Sequence, residues 1–384
     1  MADAIRGLPL RLGGLGLRRL HDLADVAFTS SFLRAASSVP ACSPLLLQLL
    51  EEHADKVADV VAVVERITPH HVTRAGRRVT LTAWASARED RGGVILPEIP
   101  SQRHLLEQDE TRMLESTLSE LANGGDRASG AWVRSSGFKG SGKWLLAPTQ
   151  ATSATCRLAE SEFRVNLLLR LGVRPSWATA AEGVQCACCR EAGDGDQLDP
   201  LYHGLNCAGL SGRRIRRHNF VRDCVADLLR RLFGGHAVST EMRLETPGSA
   251  TVVADIALQT GGGLRLFDVA IPNPAANSAL ARQSDTTVLA AARVAEVEKR
   301  AHYRAALAHR GLADTAFIPF VVEATGRLGS AAETFLDQVI TYPDLQAEDA
   351  IGTVRFSIAR LQTLIARGNA IAIGAFSRGA RVVG

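Results

Sequence analysis

The chain has 384 residues, a formal net charge of +4, and 46% hydrophobic against 22% charged residues. These are the proportions of a packed protein of two or three domains, and they exclude a disordered or collagen-like chain. No run of about 18 apolar residues marks a membrane-spanning helix. The N-terminus carries arginines but no apolar core leading to a cleavage site, so the sequence reads as soluble and not secreted.

In chain order, the stretch Leu8-Pro9-Leu10-Arg11-Leu12-Gly13-Gly14-Leu15-Gly16-Leu17 is too rich in glycine for a helix interior, and helical spacing starts at Leu20. Amphipathic helices are predicted over 41–68 and 101–122, a loop or linker over 123–143, and a further helix over 160–171. From about residue 212 the pattern becomes α/β. A helix over 220–233 has Asn219 as its N-cap and stops at Gly234-Gly235. Strands follow at 251–259 and 264–271, then a loop rich in Pro and Asn, a helix at 285–310, a strand Phe317–Glu323, and helices at 329–340 and 348–367.

Cysteine usage is uneven: four of the seven lie between 186 and 207. Cys186-x2-Cys189 and His203-x3-Cys207 form two close pairs with 13 residues between them, the spacing of a structural zinc site. Cys188 in place of Cys186 or Cys189 serves the same pattern. Basic residues are uneven too, with 40 Arg against the four lysines Lys56, Lys139, Lys143 and Lys299. Seven arginines fall between 213 and 231 against only Asp223 and Asp227. Beside a zinc module, Arg213, Arg214, Arg216, Arg217 and His218 read as a phosphate-contacting run.

Two strands flank Gly261-Gly262-Gly263. A two-residue Gly-Gly turn pairs Ile256 with Phe267, Ala254 with Val269 and Val252 with Ile271, which gives one apolar face. The same register sets Asp255 opposite Asp268, with Cβ atoms roughly 5 Å apart. Two carboxylates so placed in apolar runs repel each other and are expensive to bury, and a divalent cation would remove both penalties. Lys299 stands one helical turn from Tyr303 and is a lysine in an arginine-dominated chain.

These residues, in this order, resemble the C-terminal region of non-LTR retrotransposon proteins that carry a restriction-like endonuclease. The likeness runs through the Cys/His knuckle, Arg-Arg-His218-Asn219, Asp255, Asp268-Val and the helix bearing Lys299 and Tyr303. Leu8 to Leu17 resembles the end of the family's reverse-transcriptase thumb, Glu162 to Gly172 its helix before the knuckle, and Pro319 to Gly329 its segment after the catalytic helix. The chain departs from the family pattern in lacking a proline before Asp255 and a lysine on the strand after Asp268.

The resemblance implies a mostly helical N-terminal region, a zinc knuckle, and a PD-(D/E)xK-type α/β core with C-terminal helices. The implied divisions are 1–40 thumb remnant, 41–182 helical linker, 183–210 knuckle, 211–342 nuclease core and 343–384 helical tail. It implies Mg²⁺ or Mn²⁺ on Asp255 and Asp268, Lys299 assisting a water, Tyr303 as accessory, and Glu245 (with Glu241 as fallback) as the earlier acidic residue. Zinc would be structural. The partners would be a DNA target site and element RNA, the location nuclear, and the remainder of the reverse transcriptase a separate part of a longer protein. Asp344, in Tyr342-Pro343-Asp344, is expected to be a turn outside the core. The competing reading is a catalytically inactive, zinc-containing nucleic-acid-binding remnant.

Overall fold

A computed structural model describes residues 2–15, 26–27, 29, 102–138, 140–145, 157–174, 200–245, 251–342 and 344–380. The chain divides into two compact units, one of Met1–Ile5, Leu10–Leu15 and Leu118–Gly384, the other of Arg6–Pro9 and Gly16–Thr117. In the second unit the described core is a contact between buried Val26 and Leu105. Cys186, Cys188 and Cys189, and most of 16–101, lie outside the described residues.

The helices in chain order are α1 (Ala2–Gly7), α2 (Gln102–Asn123), α3 (Arg127–Ser136), α4 (Glu160–Leu171), α5 (Pro200–His203), α6 (Ser211–Phe233), α7 (Asn277–Leu280), α8 (Ala290–His309), α9 (Ser330–Val339) and α10 (Ala350–Ala380). The strands are β1 (Val238–Leu244), β2 (Val252–Thr260), β3 (Gly263–Ala270) and β4 (Phe317–Val321). They form one mixed sheet in the order β1-β2-β3-β4: two antiparallel pairs, then β4 parallel to β3 after the chain returns through α8. The molecule is thus a mixed helix-and-sheet fold. Among the described residues, no helix is long and apolar enough to cross a membrane.

Three elements differ from expectation for physical reasons. The segment 123–143 contains α3 rather than an uninterrupted loop: Asp126 caps it by accepting from the Ser129 N–H at 3.1 Å, and Ala131, Trp132 and Val133 are buried along it. Helix α6 begins at Ser211, so Asn219 is interior and not an N-cap. The arginines of its first turns are good helix formers, and two of its buried residues, Arg217 and Val221, are four apart on one face. Helix α10 runs through Gly368-Asn369 to Ala380, where a stop near 367 was expected. Asn369 is satisfied by tertiary partners instead: its Nδ2 donates to the Ala324 carbonyl at 2.8 Å and its Oδ1 accepts from Arg217 at 2.8 Å. Gly368 is equally specific to this packing, because a Cβ there would lie 2.5 Å from the Arg217 side chain.

The sheet is covered on both faces. On one, α6, α9 and α10 bury Val221, Leu229, Ile256, Phe267, Val269, Phe335 and Leu361, with the Phe267 and Phe335 rings edge to face at 4.9 Å. On the other, α8 buries Leu244, Val252, Ala254, Leu266 and Tyr303, with Tyr303 stacked on Phe317 at 4.1 Å. A further core of Trp132, Leu169, Tyr202, Leu205, Ala324 and Ile373 packs α3, α4, α5 and α10 together.

The hairpin register is the expected one from Thr260↔Gly263 to Ile256↔Phe267. Beyond that point the ladder of β2 with β3 ends, and the expected single apolar face does not form. Ile256 and Val269 lie in the core beneath α6, whereas Ala254 and Val252 lie in the core beneath α8. The sidedness of β2 inverts at Asp255. Strand β1 inverts with it, since Val238 packs in the α6 core and Met242 and Leu244 in the α8 core. The register places Glu241 opposite Asp255, between the pairs Thr240↔Ile256 and Met242↔Ala254, and Glu241 has a left-handed φ of 58°. A non-glycine residue in that conformation costs about 1 kcal/mol or more, and such strain gathers where a side chain must be aimed away from the regular pleat.

Candidate active site

The inversion turns the Asp255 carboxylate toward the end of β3. Its Oδ2 accepts from the Val269 backbone N–H at 2.7 Å, which explains why Val269 does not continue the ladder with β2. The same oxygen lies 3.0 Å from His218 Nε2 on α6, and that nitrogen is 3.1 Å from the Val269 carbonyl. A carbonyl can only accept, so Nε2 carries the proton and His218 donates to both.

Asp268, on β3, is 6% exposed. Lys299, on α8, donates to both of its oxygens at 3.0 and 2.9 Å. One ligand-type atom each from His218, Asp255 and Asp268 falls within a common span of 4.8 Å. The sheet therefore brings the two predicted aspartates and Lys299 together across 44 residues of sequence, from Asp255 to Lys299, because β2, β3 and α8 meet at one end of the sheet.

The electrostatics separate the two carboxyls. Burial raises Asp268, its hydrogen bond with Asp255 raises it further, and Lys299 pulls it down without prevailing, leaving it at about 6. Burial also disfavours charge on Asp255, but hydrogen bonds from His218, Asp268 and the Val269 N–H outweigh it and hold this carboxyl below the usual range. For His218, burial favours the neutral ring, while the hydrogen bond and charge of Asp255 win and raise its pKa. One carboxyl is thus protonated and one ionised over a common pH range, a division of states typical of functional carboxyl pairs.

The other predicted residues separate into distinct roles. Tyr303 is fully buried, and its hydroxyl donates to the Val253 carbonyl at 2.6 Å, so it supports β2 from the core side. Burial, then the nearby Asp268, raise its pKa, so it stays neutral. Glu245 is exposed just past β1 and is not among the clustered ligand atoms. Glu241 faces Asp255 in register, but its carboxylate pairs with Arg222 at 2.7 Å. Asp344 accepts from the Gly261 N–H at 2.8 Å and so clasps the hairpin turn.

Arg213, Arg214 and Arg216 are exposed along the start of α6. Arg217 is not: it is 3% exposed and donates to Asn369 Oδ1 at 2.8 Å and the Leu205 carbonyl at 3.3 Å. Its expected role as an outward phosphate contact does not fit that burial. His218, expected to belong with the arginines, faces the carboxylates instead. The sequence signal that would have found it is a polar residue at the junction of the exposed and buried stretches of α6, in a fold where Asp255 needs a donor.

Half of the predicted zinc set is described. Cys207 is fully buried one turn after His203, its N–H donating to the His203 carbonyl at 2.8 Å. The residues around them are docked by Asn273, whose Nδ2 donates to the Tyr202 carbonyl at 3.1 Å.

Glu323, at the end of the predicted strand Phe317–Glu323, carries a structural role that the sequence pattern does not assign. It is 1% exposed, accepts from Ser135 Oγ at 2.5 Å, and meets the Ala292 N–H at 3.3 Å near the start of α8. This ties α3 to the helix that carries Lys299. A lone acid ending the apolar run Pro319-Phe320-Val321-Val322 was the available signal, since a carboxyl there must find donors.

The donor set suits a hard divalent cation, since carboxylate oxygens are the ligands Mg²⁺ and Mn²⁺ prefer. Asp255 and Asp268 would hold it, with His218 occupied as a donor to Asp255. No protein-family model matches the chain, and no curated protein matches it.

Proposed function

We propose that this chain is the C-terminal, restriction-like endonuclease part of a non-LTR retrotransposon protein and nicks target DNA with a divalent cation. The observation that carries the reading is the meeting of Asp255, Asp268 and Lys299 at one end of the sheet, with Lys299 2.9 Å from Asp268. Sequence resemblance named these three residues from positions far apart in the chain, and elementary electrostatics asks for a cation where two buried carboxyls meet.

A bound divalent cation would polarise the target phosphate and acidify water. The chain's own residues do the rest. His218 and the Val269 N–H hold one Asp255 oxygen and leave the carboxylate aimed at Asp268. Asp268 gives up its proton near neutral pH and then presents a full charge. Lys299 neutralises Asp268 in the resting site, and its ammonium is placed to orient a water or the phosphate. The exposed arginines at the start of α6 carry the DNA backbone. A structural zinc on Cys186, Cys189, His203 and Cys207, with Cys188 as the alternative thiolate, would lock the segment before α6. Element RNA as a second ligand and a nuclear location follow from the same resemblance.

The test is nicking of supercoiled plasmid by the purified chain with Mg²⁺ or Mn²⁺. Asp268→Ala and Lys299→Ala should each lower the rate about 10²-fold or more while leaving the unfolding temperature near that of the parent. Equal nicking by the parent and both variants would sink the assignment. Binding of DNA with no nicking by the parent would establish the inactive, nucleic-acid-binding reading.

A further inference from the structure

The start of α6 forms one wall of an open groove of about 470 Å³, lined by Ser211, Arg214, Ile215, Arg217, His218 and Ile271. It reaches the catalytic cluster from two directions: His218 donates to Asp255, and Ile271 lies three residues beyond Asp268. Two of its features call for a ligand.

The first is uncompensated charge. Among the described residues, neither Arg214 nor Arg217 has a carboxylate within ion-pair distance, in contrast to Arg222 farther along the helix, which has Asp223 at 2.9 Å and Glu241 at 2.7 Å. Arg214 reaches only the Asn206 carbonyl, at 3.4 Å. Arg217 is buried against neutral acceptors alone, and its Nε has no hydrogen-bond partner. A buried cation with only neutral partners is a cost the fold carries until an anion arrives.

The second is an apolar wall. Ile215 is 59% exposed on a helix whose other large aliphatic residues, Val221, Val225, Leu228, Leu229 and Leu232, are buried. Ile271 faces the same space. Cations beside an exposed aliphatic wall match a nucleotide, with its charged phosphate and its flat, weakly polar sugar–base portion. The volume falls in the range of sites for ligands of that size, ~300–1,000 Å³.

We propose that this groove is the subsite for the nucleotide flanking the scissile phosphate on the cut DNA strand, with its phosphate on Arg214 over the buried charge of Arg217 and its sugar and base against Ile215 and Ile271. The proposal rests on the endonuclease reading for the position of the scissile phosphate. The groove's charge and shape support strand binding without it. Arg213 and Arg216 do not line the groove, so they contribute to general attraction rather than to this subsite.

The experiment uses the full chain and a labelled DNA duplex, with affinity read by fluorescence anisotropy in Ca²⁺ across a salt series and cleavage read in Mg²⁺. Arg214→Ala and Ile215→Ala, both at exposed positions, are compared with Arg231→Ala, an exposed arginine at the far end of the same helix. Thermal unfolding checks that each variant is folded. Arg214→Ala should weaken binding about five- to tenfold and reduce the salt slope by about 0.9. Ile215→Ala should weaken binding about fivefold at unchanged slope, from the lost burial of its aliphatic side chain against the nucleotide. Both should raise KM more than they lower kcat, and Arg231→Ala should match the parent.

If both groove variants match Arg231→Ala in affinity and KM while the parent cleaves, the subsite is wrong and the endonuclease reading stands. If the parent fails to cleave but the affinities fall as described, the endonuclease reading is wrong and the strand-binding groove stands. If an RNA duplex of the same sequence binds more tightly and shows the same variant losses, the assignment to DNA is overturned.

Discussion

The two ends of α6 use the same residue type in opposite ways. Toward Phe233 both acids and two of the three arginines are paired: Arg222 holds Asp223 and Glu241, and Asp227 is shared by Arg360 at 2.8 Å and Arg230 at 3.8 Å. Toward Ser211, Arg213, Arg214, Arg216 and Arg217 meet no carboxylate among the described residues, and an isoleucine is exposed beside them. The first half is anchored to the sheet by its apolar stripe. The second half leaves charge unspent next to a carboxylate cluster. An arginine count along the helix would have treated both alike; what separates them is which arginines the fold has already neutralised.

The largest effect that would sharpen this contrast is Leu229→Ala in the anchored half. Leu229 is fully buried, and its loss should destabilise the fold by about 2–5 kcal/mol. Chemical denaturation measures this, and DNA affinity of the folded fraction should not change. A comparable effect on binding alone would erase the distinction between the halves.

Arg217 sits at the join and gives the next largest effect. Arg217→Ala strips the packing against Gly368 and leaves Asn369 Oδ1 and the Leu205 carbonyl without their donor, a loss of about 1–3 kcal/mol. Arg217→Met keeps most of the stem and removes the uncompensated charge, so it should unfold at a higher temperature than Arg217→Ala. The reverse order would mean that the Arg217 stem packed against Gly368 contributes nothing to stability, and an Arg217→Met variant less stable than the parent would mean that the buried charge is stabilising.

The pH dependence comes third. The Asp268 carboxyl titrates at about 6 when folded, against 3.8 as its reference value. The folded state therefore binds more protons between those values, and this residue's contribution to metal-free stability falls as pH rises through that window. Asp255 is depressed, so its contribution has the opposite sign and is lost as pH falls through the acid range below 3.8. Because a cation must displace the Asp268 proton, Mn²⁺ affinity measured by calorimetry should rise with pH through about 6, with a further rise where His218, held above its ordinary value by Asp255, loses its charge. Flat affinity from pH 5 to pH 7 would remove Asp268 as a ligand.

The smallest effect is expected for Arg222→Ala. Its partner carboxylates on Asp223 and Glu241 are largely exposed, and such pairs contribute about 0–1 kcal/mol. A larger loss would show that Arg222 instead holds the strained Glu241 backbone and, through it, the inversion at Asp255.

Much of the fold was legible from local pattern. The Gly-Gly turn set the hairpin register from Thr260 to Ile256, and the helical stripe of α6, the apolar runs of β3 and β4 and the position of Lys299 followed from periodicity and residue type. What failed were inferences that extended a local rule past a tertiary event. Period-two alternation put Val252 and Ala254 on the face of Ile256, but the strained Glu241 inverts both strands there. The last helix was expected over 348–367, and Gly368 lies just past that end, where a glycine costs about 1 kcal/mol relative to Ala in a helix interior. In the folded chain it is the only residue type that admits Arg217 without displacement, and the helix continues.

By itself the sequence determined which residues could do chemistry: two acids across a hairpin, an isolated lysine and an arginine run, because residue type and short spacings are local properties. Only the tertiary structure decided which of them meet. It put His218 with Asp255, took Arg217 out of solvent, turned Glu241 toward Arg222, and left Arg214 facing an open groove. Those outcomes depend on the approach of α6, α8 and α10 to a sheet whose strands invert midway, and such long-range packing is set by the sum of many contacts rather than by any one segment.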